Sequence, residues 1–246
     1  MKIYTSITEK INQGKKMFAT LIDPDKITVQ RLKDTVIKAE KAGVDYIFIG
    51  GSLLIDNCVE DSIRIIKETT SIPVILFPGN PLQVSERADA LLFLSLISGR
   101  NPEMLIGNHV TIAPILRKSK LEILPTGYML IESGKLTSVS YISNTTPIPY
   151  DKDDIAMCTA IAGELLGLKL IYMDAGSGAN NTIRSSMISR VKENISIPLI
   201  IGGGIKSPEK AVEACKAGAD IVVVGNAIED DMNLMNSIAD AVHSIG

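Results

Sequence analysis

The chain has 246 residues, 46% of them hydrophobic, and a formal net charge of −3. That length suits a single (β/α)8 barrel of about 250 residues, and the near-balance of charge, with no basic block or basic helix face, excludes nucleic acid as the main partner. Net charge supplies no attraction for an anionic ligand, so local backbone dipoles, a few cations or a metal must do so. Cys58, Cys158 and Cys215 are odd in number and far apart. They read as buried thiols of a reducing compartment, with neither disulfide nor zinc spacing. Residues Met1–Lys16 are mixed polar, without an apolar segment of signal-peptide length, and no run is long enough to span a bilayer. A cytoplasmic protein is expected.

Short β-branched runs alternate with amphipathic stretches, the pattern of a parallel sheet. Met17–Ile22 reads as the first strand and ends at Asp23-Pro24-Asp25-Lys26. Thr28 is placed to cap a helix over Val29–Ala42 that Gly43 closes. Val44–Ile49 is a second strand ending in Gly50-Gly51-Ser52, Asp61–Thr70 a helix, Pro73–Phe77 a third strand and Ala90–Leu94 a fourth. The middle is less regular: Val110–Leu116 and Leu124–Glu132 read as strands, and Lys135–Tyr141 as a further short β-rich piece decorating the barrel near strand five. Helix Ile155–Leu166, strand Lys169–Met173, helix Ile183–Glu193, strand Ile197–Ile201, helix Pro208–Ala217, strand Asp220–Val224 and helix Asp231–Ser244 complete the chain. The count predicts an α/β fold, one (β/α)8-barrel domain over residues 1–246, with a doubly wound open sheet as the competing architecture.

A parallel barrel carries its chemistry at the C-terminal ends of the strands. Ile200-Ile201-Gly202-Gly203-Gly204 and Val224-Gly225-Asn226 end strands seven and eight in glycine, where a helix is expected to begin. Bare backbone N–H groups there, with a helix dipole behind them, can cradle a phosphate; the alternative is that the glycines only make tight turns. Asp23, directly after strand one on a turn stiffened by Pro24, is a candidate ligand for a hard divalent cation, whereas Asp25 reads equally as a helix cap. Ser52 is either an N-cap or a hydroxyl ligand. Tyr172-Met173-Asp174-Ala175-Gly176-Ser177-Gly178 ends strand six. There Asp174 can accept hydrogen bonds from a polyol or take its proton, and Tyr172 packs in the core with its hydroxyl toward the mouth. His109 is expected before a strand at the barrel bottom and His243 in the last helix, so no histidine mechanism is indicated. A carboxylate-bound metal, phosphate cradles and a carboxylate beside a hydroxyl suit displacement of a diphosphate.

Thr20-Leu21-Ile22-Asp23-Pro24-Asp25-Lys26, Ile49-Gly50-Gly51-Ser52, Phe77-Pro78-Gly79-Asn80, the Tyr172–Gly178 run, Gly202-Gly203-Gly204-Ile205 and Val224-Gly225-Asn226 together resemble the geranylgeranylglyceryl phosphate synthases and their heptaprenylglyceryl relatives, over essentially the whole chain. The resemblance implies a modified TIM barrel that moves a prenyl group from a prenyl diphosphate to the 3-hydroxyl of sn-glycerol 1-phosphate, releasing diphosphate with Mg²⁺. It maps the metal to Asp23 and Ser52, and glycerol phosphate to Tyr172, Met173, Asp174, Ala175, Gly176, Ser177, Gly178, Gly203, Gly204, Gly225 and Asn226. Asp174 is the mapped catalytic residue; many family members carry Glu there, which reaches about one methylene further. The Ser140–Pro149 run looks like the family's longer version, which favours a C20 donor. Self-association as dimer or hexamer is implied, with peripheral membrane contact for the lipid product. Phe77, Leu94, Leu96, Ile97 and Leu130 are the candidate tail contacts. Another phosphate-binding barrel isomerase or lyase, and a non-catalytic sensor of a phospholipid precursor, are the competing readings.

Overall fold

Eight strands pair in sequence order, all parallel, into one closed barrel in the computed structural model. They are β1 (Met17–Ile22), β2 (Tyr46–Ile49), β3 (Val74–Leu76), β4 (Ala90–Leu96), β5 (Glu122–Leu130), β6 (Leu170–Asp174), β7 (Leu199–Gly202) and β8 (Ile221–Val224). The structure describes residues 2–54 and 58–245, so the ends of the expected domain, Met1 and Gly246, fall outside it. Closure settles the architecture against the open sheet. Strand alternation divides the apolar side chains between two layers. Met17 and Ala19 of β1 face the barrel interior, whereas Phe18 and Ile22 pack outward against the helices.

The helices are α1 (Ile3–Asn12), α2 (Val29–Ala42), α3 (Val59–Thr69), α4 (Asn108–Leu116), α5 (Ser138–Ser143), α6 (Asp153–Leu165), α7 (Ser185–Lys192), α8 (Pro208–Ala217), α9 (Asn226–Asp230) and α10 (Leu234–His243). As expected, the Thr28 hydroxyl caps α2, accepting from the Arg31 N–H, and Gly43 ends it in the left-handed conformation. Helix α1 has no counterpart in the sequence reading. Its Ile3 and Ile7 close the bottom of the barrel against the interior cluster, and Glu122 of β5 accepts from the first N–H groups of this helix at Ile3 and Tyr4.

A repeated device ties the barrel bottom. Asp45, Asp89 and Asp220 stand one residue before β2, β4 and β8, and each donates its N–H to the carbonyl of the residue beside it on the preceding strand: Phe18, Val74 and Leu199. Each carboxylate accepts that same residue's N–H in return at 2.8 Å. Each also holds a lysine: Lys10 on Asp45 at 2.6 Å, Lys67 on Asp89 at 2.7 Å and Lys192 on Asp220 at 2.6 Å. The equivalent place before β6 is Lys169, whose neighbour is Pro125. Proline has no N–H to give, so an acceptor there would have nothing to accept.

Two stretches depart from expectation. Val110–Leu116, expected as a strand, belongs to α4, entered through a π-helical turn at Glu103–Gly107. The run is apolar on all sides because α4 is: Leu116 and His109 are buried, while Val110 and Ile115 are exposed. Pro114, a poor helix-interior residue, adds to the misdirection. Lys135–Tyr141, expected as β-rich, is a short loop, Lys135–Thr137, followed by the first residues of α5. In addition, β3 runs to β4 without an intervening helix. Cys158 is exposed, against the expectation of a buried thiol, whereas Cys215 is buried.

Candidate active site

The strand ends open into a cavity of about 880 Å³. At its polar end lie Asp23, Gly51 and Ser52 from the loops after β1 and β2, Tyr172, Asp174, Gly176, Ser177 and Gly178 from β6 and its loop, Gly203 and Gly204 after β7, and Gly225 and Asn226 after β8. The two glycine endings and the strand-six run therefore share one mouth. Met173 and Ala175 do not face it. The alternation that aims Tyr172 and Asp174 inward sends those two side chains into the helix layer.

The β6 and β7 loops are packed backbone to backbone. Gly203 has φ of 82°, and a methyl added to it would fall 2.7 Å from Asp174 Oδ1 and from the Gly176 nitrogen. Only glycine fits both the conformation and the space. The expected helix dipole behind this cradle is absent at strand seven, because α8 starts only at Pro208, capped by Ser207. Loop backbone does the work there. Across the mouth the Ser177 hydroxyl donates to Asn226 Oδ1 at 2.8 Å, joining the β6 and β8 loops.

Asp174 is buried, and each of its oxygens accepts one hydrogen bond: Tyr128 donates its hydroxyl to Oδ2 at 2.6 Å, and the Gly176 N–H donates to Oδ1 at 2.7 Å. Burial raises its pKa above the ordinary carboxylate value, and these two donors pull it back in part. Burial and the neighbouring carboxylate push the phenols of Tyr128 and Tyr172 well above their usual value, so Tyr128 keeps its proton as donor. The sequence reading missed Tyr128. Its signal was the alternation of β5, which places Leu124, Tyr128 and Leu130 inward, with Tyr128 beside Tyr172 in the sheet. Phe77 stacks on Tyr172 at 5.2 Å, and Tyr128 meets Tyr172 edge-on at 5.5 Å. Three aromatic rings thus stand between the polar mouth and the rest of the cavity.

Beyond those rings the cavity is an apolar trench. Leu92, Leu94 and Leu96 line it, as do Leu91 and Phe93 from the other face of β4, with Met104, His109, Ile112 and Leu116. The missing helix after β3 leaves that outer face of β4 to the trench. Of the candidate tail contacts, Phe77, Leu94 and Leu96 line the cavity, whereas Leu130 is in the barrel core and Ile97 packs in the helix layer. His109 is not at the barrel bottom: it lines the trench, its ring edge-on to Phe93 at 4.3 Å. Burial lowers its pKa, so the ring is neutral at pH 7.

At strand one, Asp23 holds Lys26 at 2.6 Å and accepts the Asp25 N–H at 3.2 Å. The hydrogen bond to Asp23 raises the lysine pKa, with burial opposing. Glu229 joins this end of the mouth, its carboxyl raised by burial. A methyl at Gly51 would lie 3.4 Å from Asp23 Oδ2, which sets the carboxylate against the Ser52 loop. One carboxylate, one hydroxyl and no soft ligand suit Mg²⁺ that takes its other oxygens from phosphate and water. Among the described residues there is no cluster of three or more His, Cys, Asp or Glu that could hold a metal unaided.

A closed barrel with glycine loops that can cradle a phosphate, an oriented carboxylate and a long apolar trench defines a (β/α)8-barrel enzyme acting on a phosphorylated polar molecule and an apolar chain. The model of the PcrB family matches residues 9–244, and the chain belongs to that family. A geranylgeranylglyceryl phosphate synthase of Chitinophaga pinensis is 59% identical over 99% of this chain and 96% of its own. The enzyme of that name from Methanosphaera stadtmanae is 39% identical over 99% of this chain and its whole length. The (S)-3-O-geranylgeranylglyceryl phosphate synthase of Thermoplasma acidophilum, solved with its substrate sn-glycerol-1-phosphate, superposes with a TM-score of 0.94 at 33% identity, covering 99% of each chain.

Proposed function

We propose that this chain joins a prenyl group, geranylgeranyl, from its diphosphate to the 3-hydroxyl of sn-glycerol 1-phosphate, forming an ether and releasing diphosphate. The observation that carries this reading is the continuity of one cavity from the glycine cradles past Asp174 and the aromatic rings into the apolar trench. The phosphate of glycerol phosphate sits among Gly176–Gly178, Gly203, Gly204, Gly225 and Asn226. Its hydroxyls reach Asp174. The Asp174 carboxylate, held in one orientation by Tyr128 and Gly176, accepts the proton of the attacking hydroxyl. The C–O bond to diphosphate breaks as the new C–O bond forms, and the aromatic cluster of Phe77, Tyr128 and Tyr172 favours the allylic cation that develops beside it. The trench keeps water from that cation.

Asp23 and Ser52 would hold Mg²⁺, which when bound neutralises charge building on the leaving diphosphate. The His109 ring packs edge-on against Phe93 in the apolar trench and is given no part in the proton transfer, which disfavours the histidine chemistry of the competing isomerase reading. No helix of the described residues is long and apolar enough to cross a membrane, and the reading needs only a cytoplasmic enzyme with peripheral membrane contact for its product. Self-association as dimer or hexamer remains part of the proposal.

The test is diphosphate release from geranylgeranyl diphosphate. Release that requires sn-glycerol 1-phosphate and Mg²⁺ supports the proposal. Tight binding of glycerol phosphate with no release favours the sensor.

A further inference from the structure

Asp23 meets the cavity already neutralised. Its Oδ2 pairs with Lys26 Nζ at 2.6 Å, and its Oδ1 accepts the N–H of Asp25 at 3.2 Å, so both oxygens are engaged within a single turn. Pro24 restricts that turn, which keeps lysine and carboxylate in register. A dication approaching Asp23 therefore meets an ammonium at contact distance, and two cations on one carboxylate repel. The other protein donor expected for the metal, Ser52, is uncharged and compensates little. Lys26 lines the same cavity as Asp23, Ser52, Gly203 and Gly225, so its ammonium faces the space where diphosphate would lie.

We propose that Lys26 is a resident counter-cation of Asp23 which the metal displaces onto diphosphate oxygens, so that Asp23 binds a divalent ion well only when diphosphate is present. This rests on the prenyltransferase reading and on Asp23 as metal ligand. With diphosphate in place, the lysine exchanges one anionic partner for another, and the dication gains phosphate oxygens that the protein does not supply. Without diphosphate the dication must evict Lys26 toward Glu229 and Asp25, carboxylates of the same protein that add no oxygens from a ligand. The device couples metal loading to the donor and hands the leaving group a second cation.

The test measures protein-bound Mn²⁺ by equilibrium dialysis of the full-length protein, with and without inorganic diphosphate, so that Mn²⁺–diphosphate formed in free solution is equal on both sides and does not count as bound. Wild type should bind Mn²⁺ weakly alone and markedly tighter with diphosphate. Lys26→Met should bind Mn²⁺ alone roughly fivefold tighter, the scale of a partly exposed ion pair, and should show a smaller gain from diphosphate. Lys26→Arg, which keeps the charge, should behave as wild type, and melting curves should show all three folded. Unchanged Mn²⁺ affinity in Lys26→Met, or an undiminished diphosphate effect, overturns the proposal. If Asp23→Asn binds Mn²⁺ as wild type does, the metal site itself is misplaced and the proposal falls with it; loss of Mn²⁺ in Asp23→Asn confines any failure to Lys26.

Discussion

Asp174 combines two opposed requirements in one side chain. Burial makes its carboxylate a better proton acceptor, and the hydrogen bonds from Tyr128 and Gly176 keep it ionised and aimed. Because its pKa is raised, activity should fall as pH drops through a value above the usual carboxylate range, since the protonated acid cannot accept the hydroxyl proton. Tyr128→Phe removes a donor to the charged form, so the acid limb of kcat/KM should move to higher pH, with kcat down about tenfold, the scale of one charge-assisted hydrogen bond. A profile that stays in place would show that Tyr128 only packs. Asp174 was legible in the sequence because it follows a buried strand and precedes a glycine loop. Tyr128 was not, because its contact depends on the register between β5 and β6, forty-six residues apart. The outward direction of the Met173 and Ala175 side chains was not legible, because a contiguous motif carries no inward or outward sense until the strand's phase is known.

At the scale of elements, the paired aspartates explain how short strands hold a closed barrel. Asp45, Asp89 and Asp220 each satisfy an N–H at the start of the neighbouring strand, its first or second residue, and anchor a lysine, a double tie that a backbone pair alone would not give. Asp220→Ala should cost about 2–4 kcal/mol in chemical denaturation, since it strands a buried N–H and two lysines near it. Lys169→Ala, at the equivalent place beside Pro125, should change stability by less than about 0.5 kcal/mol. Asp45 adds a third partner, His243 of α10 at 2.9 Å, which ties the C-terminal helix to the barrel bottom. That bond raises the pKa of His243, while on Asp45 burial is outweighed by the donors and the pKa is lowered. The histidine's share of stability is therefore present below its unfolded pKa and lost as pH rises through the raised folded value. The aspartate's share is present above its unfolded pKa and lost as pH falls through the lowered one. His243→Ala should thus be less stable than wild type between roughly pH 5 and 6, by a few tenths of a kcal/mol for a pair this exposed, and equal to it at pH 8. Six strands were legible as apolar runs that end at or close to a glycine, proline or aspartate; β4 and β5 lack that ending and were legible from their apolar runs alone. Helices α1 and α4 were not: α1 is mixed polar and stabilised by a barrel floor distant in sequence, and α4 is apolar on all sides, so it shows no helical period.

For the molecule as a whole, the mouth gathers loops from β1, β2, β6, β7 and β8, so a ligand there cross-links distant parts of the barrel. At a hundred times its Kd, sn-glycerol 1-phosphate should stabilise the fold by about 2.7 kcal/mol, and calorimetry should show the rise in Tm. Gly203→Ala should abolish that rise, because its methyl would invade the space of Asp174 and Gly176. The trench and the cradles are separate halves of one cavity, and their union requires the bare outer face of β4 left by the absent helix between β3 and β4. The most direct test of the account is mass analysis of the product formed from sn-glycerol 1-phosphate and a mixture of C15 to C35 prenyl diphosphates with Mg²⁺. The account predicts an ether of glycerol phosphate with the C20 chain dominant; no ether product from any donor would contradict it.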